Sequence, residues 1–256
     1  MDISPKFTII TITYNAAHWL ERTVLSILSQ SYPHVEYVII DGGSTDGTVD
    51  IIKQYAPGIS FWVSEPDKGL YDAMNKGLRH ATGDYVWFIN AGDTLQTADT
   101  IQRIVMKIGK KKSLPDIIYG ETAIVDAQGR MIGMRRLKAP ENLTWKSFRM
   151  GMLVCHQSFI AKRTIAPEYD LQYRLSSDYD WCIRCMKQAS FIYNTKMVLS
   201  NYLDEGLSTR QRKASLKERY DIMCKYYGKF ATIILHGWFA LRFIQPSGSR
   251  EEYEIP

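Results

Sequence analysis

The chain has 256 residues, of which 45% are hydrophobic and 23% are charged. This is ordinary globular composition, and the length suits one large α/β domain with an elaboration or two small domains. The formal net charge of +5 fits a protein that handles anionic small molecules or lies near an anionic membrane. It does not indicate nucleic-acid binding, which calls for a clustered basic stripe with interleaved aromatic residues.

The four cysteines include one Cys-x-x-Cys pair, Cys182 and Cys185. No second pair completes a zinc tetrahedron, and on a helix the two side chains share a face, so we expect a buried, reduced pair. The first residues, Met1 to Pro5, lack the basic region of a signal peptide. We therefore expect a cytoplasmic protein.

Short apolar runs alternate with segments of helical periodicity in the first half of the chain. The predicted strands are Phe7–Tyr14, Val35–Ile40, Phe61–Ser64 and Tyr85–Ile89, and the predicted helices are Ala16–Gln30, Thr48–Tyr55 and Leu70–Ala81. Strands that alternate with helices of this length favour a parallel sheet with helices on both faces. Right-handed crossovers make that sheet Rossmann-like.

The pattern changes after about residue 112, where short strands indicate an antiparallel extension of the sheet. The predicted elements are strands at Ile117–Tyr119, Ala123–Val125 and Met131–Met134, a helix at Tyr179–Lys187, a strand within Phe191–Tyr202, and two helices between Arg212 and Ile244 that are broken near Gly228.

Polar clusters follow three of the four strands in the first half. They are Thr13-Tyr14-Asn15, the Asp41–Gly47 segment and Asn90-Ala91-Gly92-Asp93. Because ligands of open parallel sheets bind outside the carboxyl ends of the strands, these three clusters predict a single site.

The Asp41–Gly47 loop matches neither the Gly-x-Gly-x-x-Gly fingerprint nor the P-loop. Its glycines fit a tight strand-to-helix turn with Thr45 or Asp46 as helix cap. We expect Asp41 to point into the site as a hydrogen-bond acceptor, which suits the imide N–H of uracil or the donor edge of guanine. Asp93 suits a Mg²⁺ or Mn²⁺ ion held by a diphosphate, and capping of a helix ahead of Leu95 is an equal alternative.

Six sequence blocks together resemble family 2 glycosyltransferases, in particular the bacterial branch that builds exopolysaccharide, capsule and lipopolysaccharide. The blocks are Thr13-Tyr14-Asn15, Asp41–Thr48, Ser64–Gly69, Ala73-Met74-Asn75-Lys76-Gly77, Ala81–Tyr85 and Asn90–Asp93. The resemblance is strong over residues 6 to 95 and extends more weakly to about 210.

This resemblance implies a GT-A fold, a nucleotide-diphosphate-sugar donor, a divalent metal (Mn²⁺ or Mg²⁺) and inversion at the anomeric carbon. The implied donor-binding residues are Thr13, Tyr14, Asn15, Asp41, Ser44, Asp67, Asn75 and Asn90. The family's metal-binding Asp-x-Asp is altered here to Asn90-Ala91-Gly92-Asp93. Asn90 and Gly92 stand at the two Asp positions, and Asp93, one residue after the second position, is the candidate metal ligand.

The second half resembles the acceptor side of the family. Ser177-Asp178 stands at its Glu-Asp motif, so Asp178 is the candidate general base, with capping of the following helix as the alternative. His156 and Asp180 are lesser candidates for acceptor or phosphate contacts. The segment that closes over the donor in this family corresponds to residues 205–210, from which Arg210 could reach the diphosphate.

The apolar stretch from Phe230 to Ile244 is too short and too interrupted to span a membrane. It could lie in a membrane interface, pack on the catalytic domain or form a homodimer contact.

We therefore expect an inverting glycosyltransferase that moves a hexose or N-acetylhexosamine from a nucleotide-diphosphate sugar, with UDP favoured, to a saccharide acceptor that is lipid-linked. The expected domains are a catalytic domain over 1–210, with a nucleotide-binding half (1–112) and an acceptor half (113–210), and a C-terminal helical segment over 211–256. The alternatives are an inactive nucleotide-sugar-binding protein and a sugar-1-phosphate nucleotidyltransferase, which needs a glycine-rich basic turn that Asn15-Ala16-Ala17-His18 does not provide.

Overall fold

A computed structural model describes residues 4–204 and 212–244. The strands are β1 (Phe7–Thr13), β2 (Val35–Asp41), β3 (Phe61–Ser64), β4 (Tyr85–Phe88), β5 (Thr94–Leu95), β6 (Ile117–Val125), β7 (Met131–Met134), β8 (Phe159–Lys162) and β9 (Ile192–Leu203). The helices are α1 (Ala17–Leu28), α2 (Thr48–Tyr55), α3 (Leu70–His80), α4 (Thr100–Ile108), α5 (Ser177–Gln188), α6 (Arg212–Tyr227) and α7 (Lys229–Ile244).

The strands form one mixed sheet in the order β3-β2-β1-β4-β8-β6-β9-β5, with β7 paired to β6. Strands β1 to β4 are mutually parallel, whereas β8 runs antiparallel to both β4 and β6. The prediction of a mostly parallel Rossmann-like half with an antiparallel extension is confirmed.

Helices cover both faces of the sheet because the central strands bury side chains on both sides. In β1, Ile10 and Ile12 pack with residues of α3 and α5, while Phe7 and Ile9 pack with residues of α1, α2 and α4. Gly77 lets α3 approach β1 closely, since a Cβ at this position would lie 2.5 Å from Cγ2 of Ile10. The close approach sets the height of α3 above the sheet, and α3 carries two residues of the site described below.

Three features differ from the sequence-based expectation. Helix α4 was not predicted; its Ile101, Ile104 and Ile108 are fully buried at helical spacing, and tertiary packing outweighs the weak helix propensity of β-branched residues. Strand β8 was not predicted either. The two short strands expected between 117 and 125 form the single strand β6, in which Gly120 permits close approach to β9: a Cβ there would lie 2.8 Å from Cγ of Leu199.

The expectations for the later helices are partly confirmed. Helix α5 begins at Ser177, two residues earlier than predicted, and Gly228, with a φ of +85°, separates α6 from α7. Cys182 and Cys185 are both fully buried and unbridged on α5, as expected, and burial raises the pKa of both thiols.

Candidate active site

The three polar clusters meet at one edge of the sheet. Thr13, the last residue of β1, is in register with Asp41, the last residue of β2. On the other side of β1, the N–H of Ala91 donates to the carbonyl of Ile12 over 3.1 Å, which places the Asn90–Asp93 segment beside Thr13. The sheet register therefore brings together the residues that the sequence placed in one site.

Asp41 organises the loop that follows β2. Its Oδ2 accepts hydrogen bonds from the N–H of Gly43 (3.1 Å), the N–H of Ser44 (2.9 Å) and the hydroxyl of Ser64 (2.6 Å). The hydroxyl of Ser44 donates to Oδ1, and the carboxylate is fully buried. Four donors inside the protein hold this carboxylate, so it shapes the loop; its contact with a nucleotide base stays a prediction.

Asn15 joins the first two clusters. Its backbone N–H donates to the Ser44 hydroxyl over 2.7 Å, and its side-chain oxygen accepts from the N–H of Thr45 over 3.0 Å. The residue holds a φ of +47°, a left-handed conformation that asparagine tolerates better than most residues. The Thr13–Asn15 segment and the Asp41 loop consequently form one rigid rim.

The side chains of Tyr14 and Asp67 border Gly42 on the surface of this rim. Tyr14 is 64% exposed. A Cβ on Gly42 would lie 2.5 Å from Oδ2 of Asp67 and 3.2 Å from Cδ2 of Tyr14, so Gly42 leaves room for both side chains. Oδ1 of Asp67 accepts from the N–H of Gly69 over 2.7 Å. The surface thus combines an aromatic face with a carboxylate, groups that suit stacking on a base and acceptance from its N–H.

Two buried polar atoms at the same edge have no hydrogen-bond partner within the described ranges: the Thr13 hydroxyl and Oδ1 of Asn90. Buried polar atoms are normally paired, so each is available to a bound molecule. Both residues lie at the carboxyl ends of the adjacent strands β1 and β4.

Asp93 is turned away from this edge. Its Oδ2 accepts from the side-chain amide of Gln157 over 2.8 Å, and its Oδ1 accepts from the N–H of Leu203 over 3.0 Å. Burial raises the pKa of Asp93 to about 7. The two hydrogen bonds and the charge of Arg22 lower this pKa, but the effect of burial is larger. The alternative of a helix cap is wrong, because strand β5 and not a helix follows Asp93.

A divalent ion needs oxygen ligands with accessible lone pairs. Asp93 fits this need poorly, because it is buried and both of its oxygens accept hydrogen bonds from the protein. Within residues 4–204 and 212–244, no group of three or more His, Cys, Asp or Glu side chains is placed to hold an ion. Oδ1 of Asn90 is buried as well but has no hydrogen-bond partner within the described ranges, and Asp93 as a metal ligand stays a prediction.

Asp178 is half-buried in the first turn of α5 and does not cap it, since Ser176 precedes the helix. Its Oδ1 accepts from the hydroxyl of Tyr71 over 3.1 Å and from the N–H of Tyr179 over 2.9 Å. In the described part of the chain, Oδ2 accepts no hydrogen bond. One oxygen is therefore held while the other can take a proton.

Asn75 and His156 belong to a buried aromatic cluster next to Asp178. The Asn75 amide donates to the carbonyl of Tyr169 (3.0 Å) and accepts from its N–H (2.6 Å), so both of its polar groups are engaged. His156 Nε2 lies 2.6 Å from the Tyr169 hydroxyl, and its ring stacks on Phe88. The structure places both residues behind the site, and their direct contact with a ligand stays a prediction.

Burial lowers the pKa of His156 from its ordinary 6.5 to about 4, partly offset by the charge of Asp178. The unfolded chain then binds a proton more readily than the folded one, so this stabilisation is present above pH 6.5 and is lost as the pH falls towards 4.

We expect the free energy of unfolding of wild type to fall by on the order of 2 kcal/mol through His156 over that interval. Urea unfolding at pH 7.5 and pH 4.5 should show a smaller pH-dependent loss in His156→Gln than in wild type. The exposed His34→Gln serves as control, and equal pH dependence in all three proteins would contradict the prediction.

Asp180 lies between α5 and α6 and not at the sheet edge. Its fully buried carboxylate pairs with Arg184 Nε (2.6 Å) and Lys225 Nζ (3.1 Å) and accepts from the Tyr226 hydroxyl (2.7 Å). These contacts fasten α6 to α5 and engage both oxygens of the carboxylate, and the contact of Asp180 with the acceptor or diphosphate stays a prediction. Arg210 lies outside the described residues.

Three side chains of the site were missed by sequence reasoning: Tyr71, Tyr169 and Gln157. Tyr71 and Asn75 are four residues apart on α3, so helical spacing alone places them on one face. No local signal could find Tyr169 or Gln157, because their partners are more than 60 residues away in sequence.

Comparison with known proteins agrees with this geometry. The sequence profile of Glycosyl transferase family 2 matches residues 8–166, so the chain belongs to this family and is a glycosyltransferase. A Mycobacterium tuberculosis (strain ATCC 25177 / H37Ra) PGL/p-HBAD biosynthesis glycosyltransferase is 34% identical over 211 residues, which cover 79% of this chain and 78% of that protein. A Bacillus subtilis (strain 168) protein, named as a teichuronic acid biosynthesis glycosyltransferase, TuaG, is 27% identical over 83% of this chain and 85% of its own length.

Solved structures show the same fold. S. aureus TarS 1-349 in complex with UDP-GlcNAc superposes with a TM-score of 0.68 at 18% identity, covering 93% of this chain and 72% of that one. The mannosyltransferase PcManGT from Pyrobaculum calidifontis, in complex with GDP-Man and Mn²⁺, superposes with a TM-score of 0.60 at 18% identity, covering 97% and 77%. The GT-A fold inferred from the sequence is confirmed.

Proposed function

We propose that this glycosyltransferase transfers a hexose or N-acetylhexosamine from a UDP-sugar to a saccharide hydroxyl with inversion at the anomeric carbon. The observation that carries the proposal is the hydrogen bond between Tyr71 and Asp178. Tyr71 lies in the first turn of α3, directly after the Ser64–Gly69 loop, whose Asp67 borders the rim at Gly42. The bond therefore joins the candidate base to the helix that begins at the donor surface.

The donor side of the proposal rests on the rim. In this proposal Tyr14 offers its ring to a base, Asp67 offers a carboxylate to a base N–H, and the unpaired Thr13 hydroxyl and Asn90 side-chain oxygen at the same sheet edge bind the sugar diphosphate. Uracil suits this set because its imide is a single donor flanked by two carbonyl acceptors. The UDP-GlcNAc complex of the structurally similar TarS supports the choice of nucleotide.

In the proposed reaction, Oδ2 of Asp178 takes the proton of the acceptor hydroxyl as that oxygen forms a bond to the anomeric carbon. The bond from the anomeric carbon to the diphosphate oxygen breaks on the opposite face, and its electron pair leaves with UDP. One displacement of this kind inverts the configuration. We assign no step to a metal ion, and a divalent cation, where one takes part, would enter with the diphosphate beside Asn90.

The acceptor in this proposal is a lipid-linked saccharide, and the pathway builds a surface polysaccharide or glycolipid. The names of the M. tuberculosis and B. subtilis relatives support that setting. We assign residues 1–210 to the catalytic domain, with its donor half before and its acceptor half after residue 112. Residues 211–256 form the C-terminal segment.

We propose that the C-terminal helices contact the cytoplasmic face of a membrane. Phe230, Ile233 and Ile234 lie on one face of α7 and are 79%, 51% and 56% exposed. Residues 212–244 contain seven Lys or Arg and two Asp or Glu. No helix among the described residues is long and apolar enough to cross a bilayer. A basic, apolar helical surface of this kind fits the interface of an anionic membrane.

Vesicle pelleting tests this contact. We expect wild type to sediment with phosphatidylglycerol vesicles, and the Phe230→Glu, Ile234→Glu double variant to lose at least about tenfold in binding, since two buried apolar side chains contribute well over 1.4 kcal/mol. Met131→Glu, Ile132→Glu on β7 is the matched control, because those residues are similarly exposed. Equal binding of the two double variants, or a change only in oligomeric state, would instead favour a protein contact at α7.

A donor screen by thermal shift tests the function itself. UDP, GDP and their common sugars are each added with Mn²⁺ and with EDTA, since a ligand of the folded state must raise its apparent melting temperature. We expect stabilisation by UDP and one UDP-sugar, followed by release of UDP in the presence of a saccharide acceptor. Stabilisation by a UDP-sugar without any turnover would favour an inactive binding protein, and formation of UDP-sugar from UTP and a sugar 1-phosphate would favour a nucleotidyltransferase.

A further inference from the structure

The hydroxyl of Tyr71 is the one side-chain donor to Asp178 among the described residues. It bonds Oδ1, the same oxygen that accepts the N–H of Tyr179. Two donors from different elements, α3 and the backbone of α5, therefore fix one carboxylate oxygen. A carboxylate held in this way has a defined rotamer and keeps its second oxygen for chemistry.

The ring of Tyr71 is itself held in place. It stacks on Tyr169 with ring centroids 5.5 Å apart, and Tyr169 stacks on Trp181 of α5 at 5.0 Å. The backbone of Tyr169 is bound on both its N–H and its carbonyl by Asn75, one helical turn from Tyr71 on α3. Only 5% of Tyr71 is exposed. The hydroxyl has little freedom to leave Asp178.

We propose that Tyr71 is a positioning residue, which holds Oδ1 of Asp178 so that Oδ2 faces the acceptor hydroxyl. The proposal rests on the function proposed above and deepens it. Tyr71 couples α3, which begins at the donor rim, to the base on α5.

The phenol can act as a donor at every working pH. Burial raises the pKa of Tyr71 well above its ordinary value, and the charge of Asp178 raises it further, against a lowering by Arg219. The other groups that face Asp178 are His156, whose pKa burial lowers to about 4, and the buried Tyr169 and Cys182, whose pKa values burial raises. Arg219 of α6 is the cation on this side of the site, and its Nε is buried without a hydrogen-bond partner in the described chain.

The test compares Tyr71→Phe with Tyr179→Phe. The control loses an equally buried hydroxyl, which donates to the carbonyl of Phe148 and does not contact Asp178. We expect kcat of Tyr71→Phe to fall about tenfold or more, because the variant loses a hydrogen bond to a charged group. Its KM for the donor should stay within about twofold of wild type. Tyr179→Phe should keep the wild-type kcat and KM.

A second measurement does not depend on turnover. In NMR spectra of ¹³C-labelled aspartate carboxyls at one fixed pH, with Asp178→Asn to identify the signal, the Asp178 carboxyl resonance should move in Tyr71→Phe and stay in place in Tyr179→Phe. An unmoved resonance and an unchanged kcat in folded Tyr71→Phe would overturn the positioning role, and so would equal effects in both variants. A moved resonance in a protein whose wild type transfers no sugar would support the hydrogen bond's role and overturn the proposed function.

Discussion

Asp178→Asn is expected to transfer sugar about 10²- to 10⁴-fold more slowly than wild type while its affinity for the UDP-sugar stays the same. Asparagine keeps the shape of the side chain and can still accept the Tyr71 hydrogen bond through its carbonyl oxygen. It cannot take a proton from the acceptor, because the position of Oδ2 is now an amide. Single-turnover rates and donor titration by calorimetry separate the two quantities.

Asp180→Asn is the matched control for this prediction. Asp180 is two residues away and pairs with Arg184 and Lys225, so its loss should lower the melting temperature and leave the rate per folded molecule within severalfold of wild type. A wild-type rate in Asp178→Asn would show that the base lies elsewhere. An equal loss of rate in both variants would show that the first result reflects damage to α5.

Asp93→Ala is expected to destabilise the protein by about 2 kcal/mol or more, because it leaves the Gln157 amide and the Leu203 N–H buried without an acceptor. Leu203 is the last residue of β9 and Gln157 precedes β8. The variant therefore loses hydrogen bonds that connect the Asn90–Asp93 segment to both of these strands. Urea unfolding of the ligand-free protein in EDTA measures it. Asp50→Ala, a change at an exposed carboxylate on α2, should alter stability by less than about 0.5 kcal/mol.

The same variant separates the two roles of Asp93. If Asp93 only holds β9 and Gln157 in place, Asp93→Ala loses the same stability in EDTA and in Mn²⁺. The effect of Mn²⁺ on UDP binding is then the same in the variant and in wild type. If Asp93 is also a metal ligand, the Mn²⁺-dependent part of UDP binding disappears as well. The buried position of Asp93 leads us to expect the first result.

Much of the architecture could be predicted because its signals are local. The runs that became β1 and β2 are rich in β-branched and aromatic residues, and turn residues such as those between Asp41 and Gly47 mark where each strand ends. Parallel strands share their carboxyl edge, so the position of the first three polar clusters followed from chain order alone. Helix α4 and strand β8 could not be predicted in the same way, because the packing of Ile104 or Phe159 against the sheet outweighs weak local propensity.

The roles of individual polar side chains depended on the tertiary structure. From the sequence, Asp41, Asp93, Asp178 and Asp180 were four acidic residues near predicted strand ends or a helix start. Their hydrogen-bond partners distinguish them: Asp41 holds its own loop, Asp93 bonds Leu203, Asp180 pairs with α6, and Asp178 keeps one oxygen available. The sequence by itself determined the family, the fold class and the edge at which the site lies, because these follow from periodicity and motif spacing. Only the tertiary structure decided which carboxylate is buried and paired, because those partners lie up to 110 residues away along the chain.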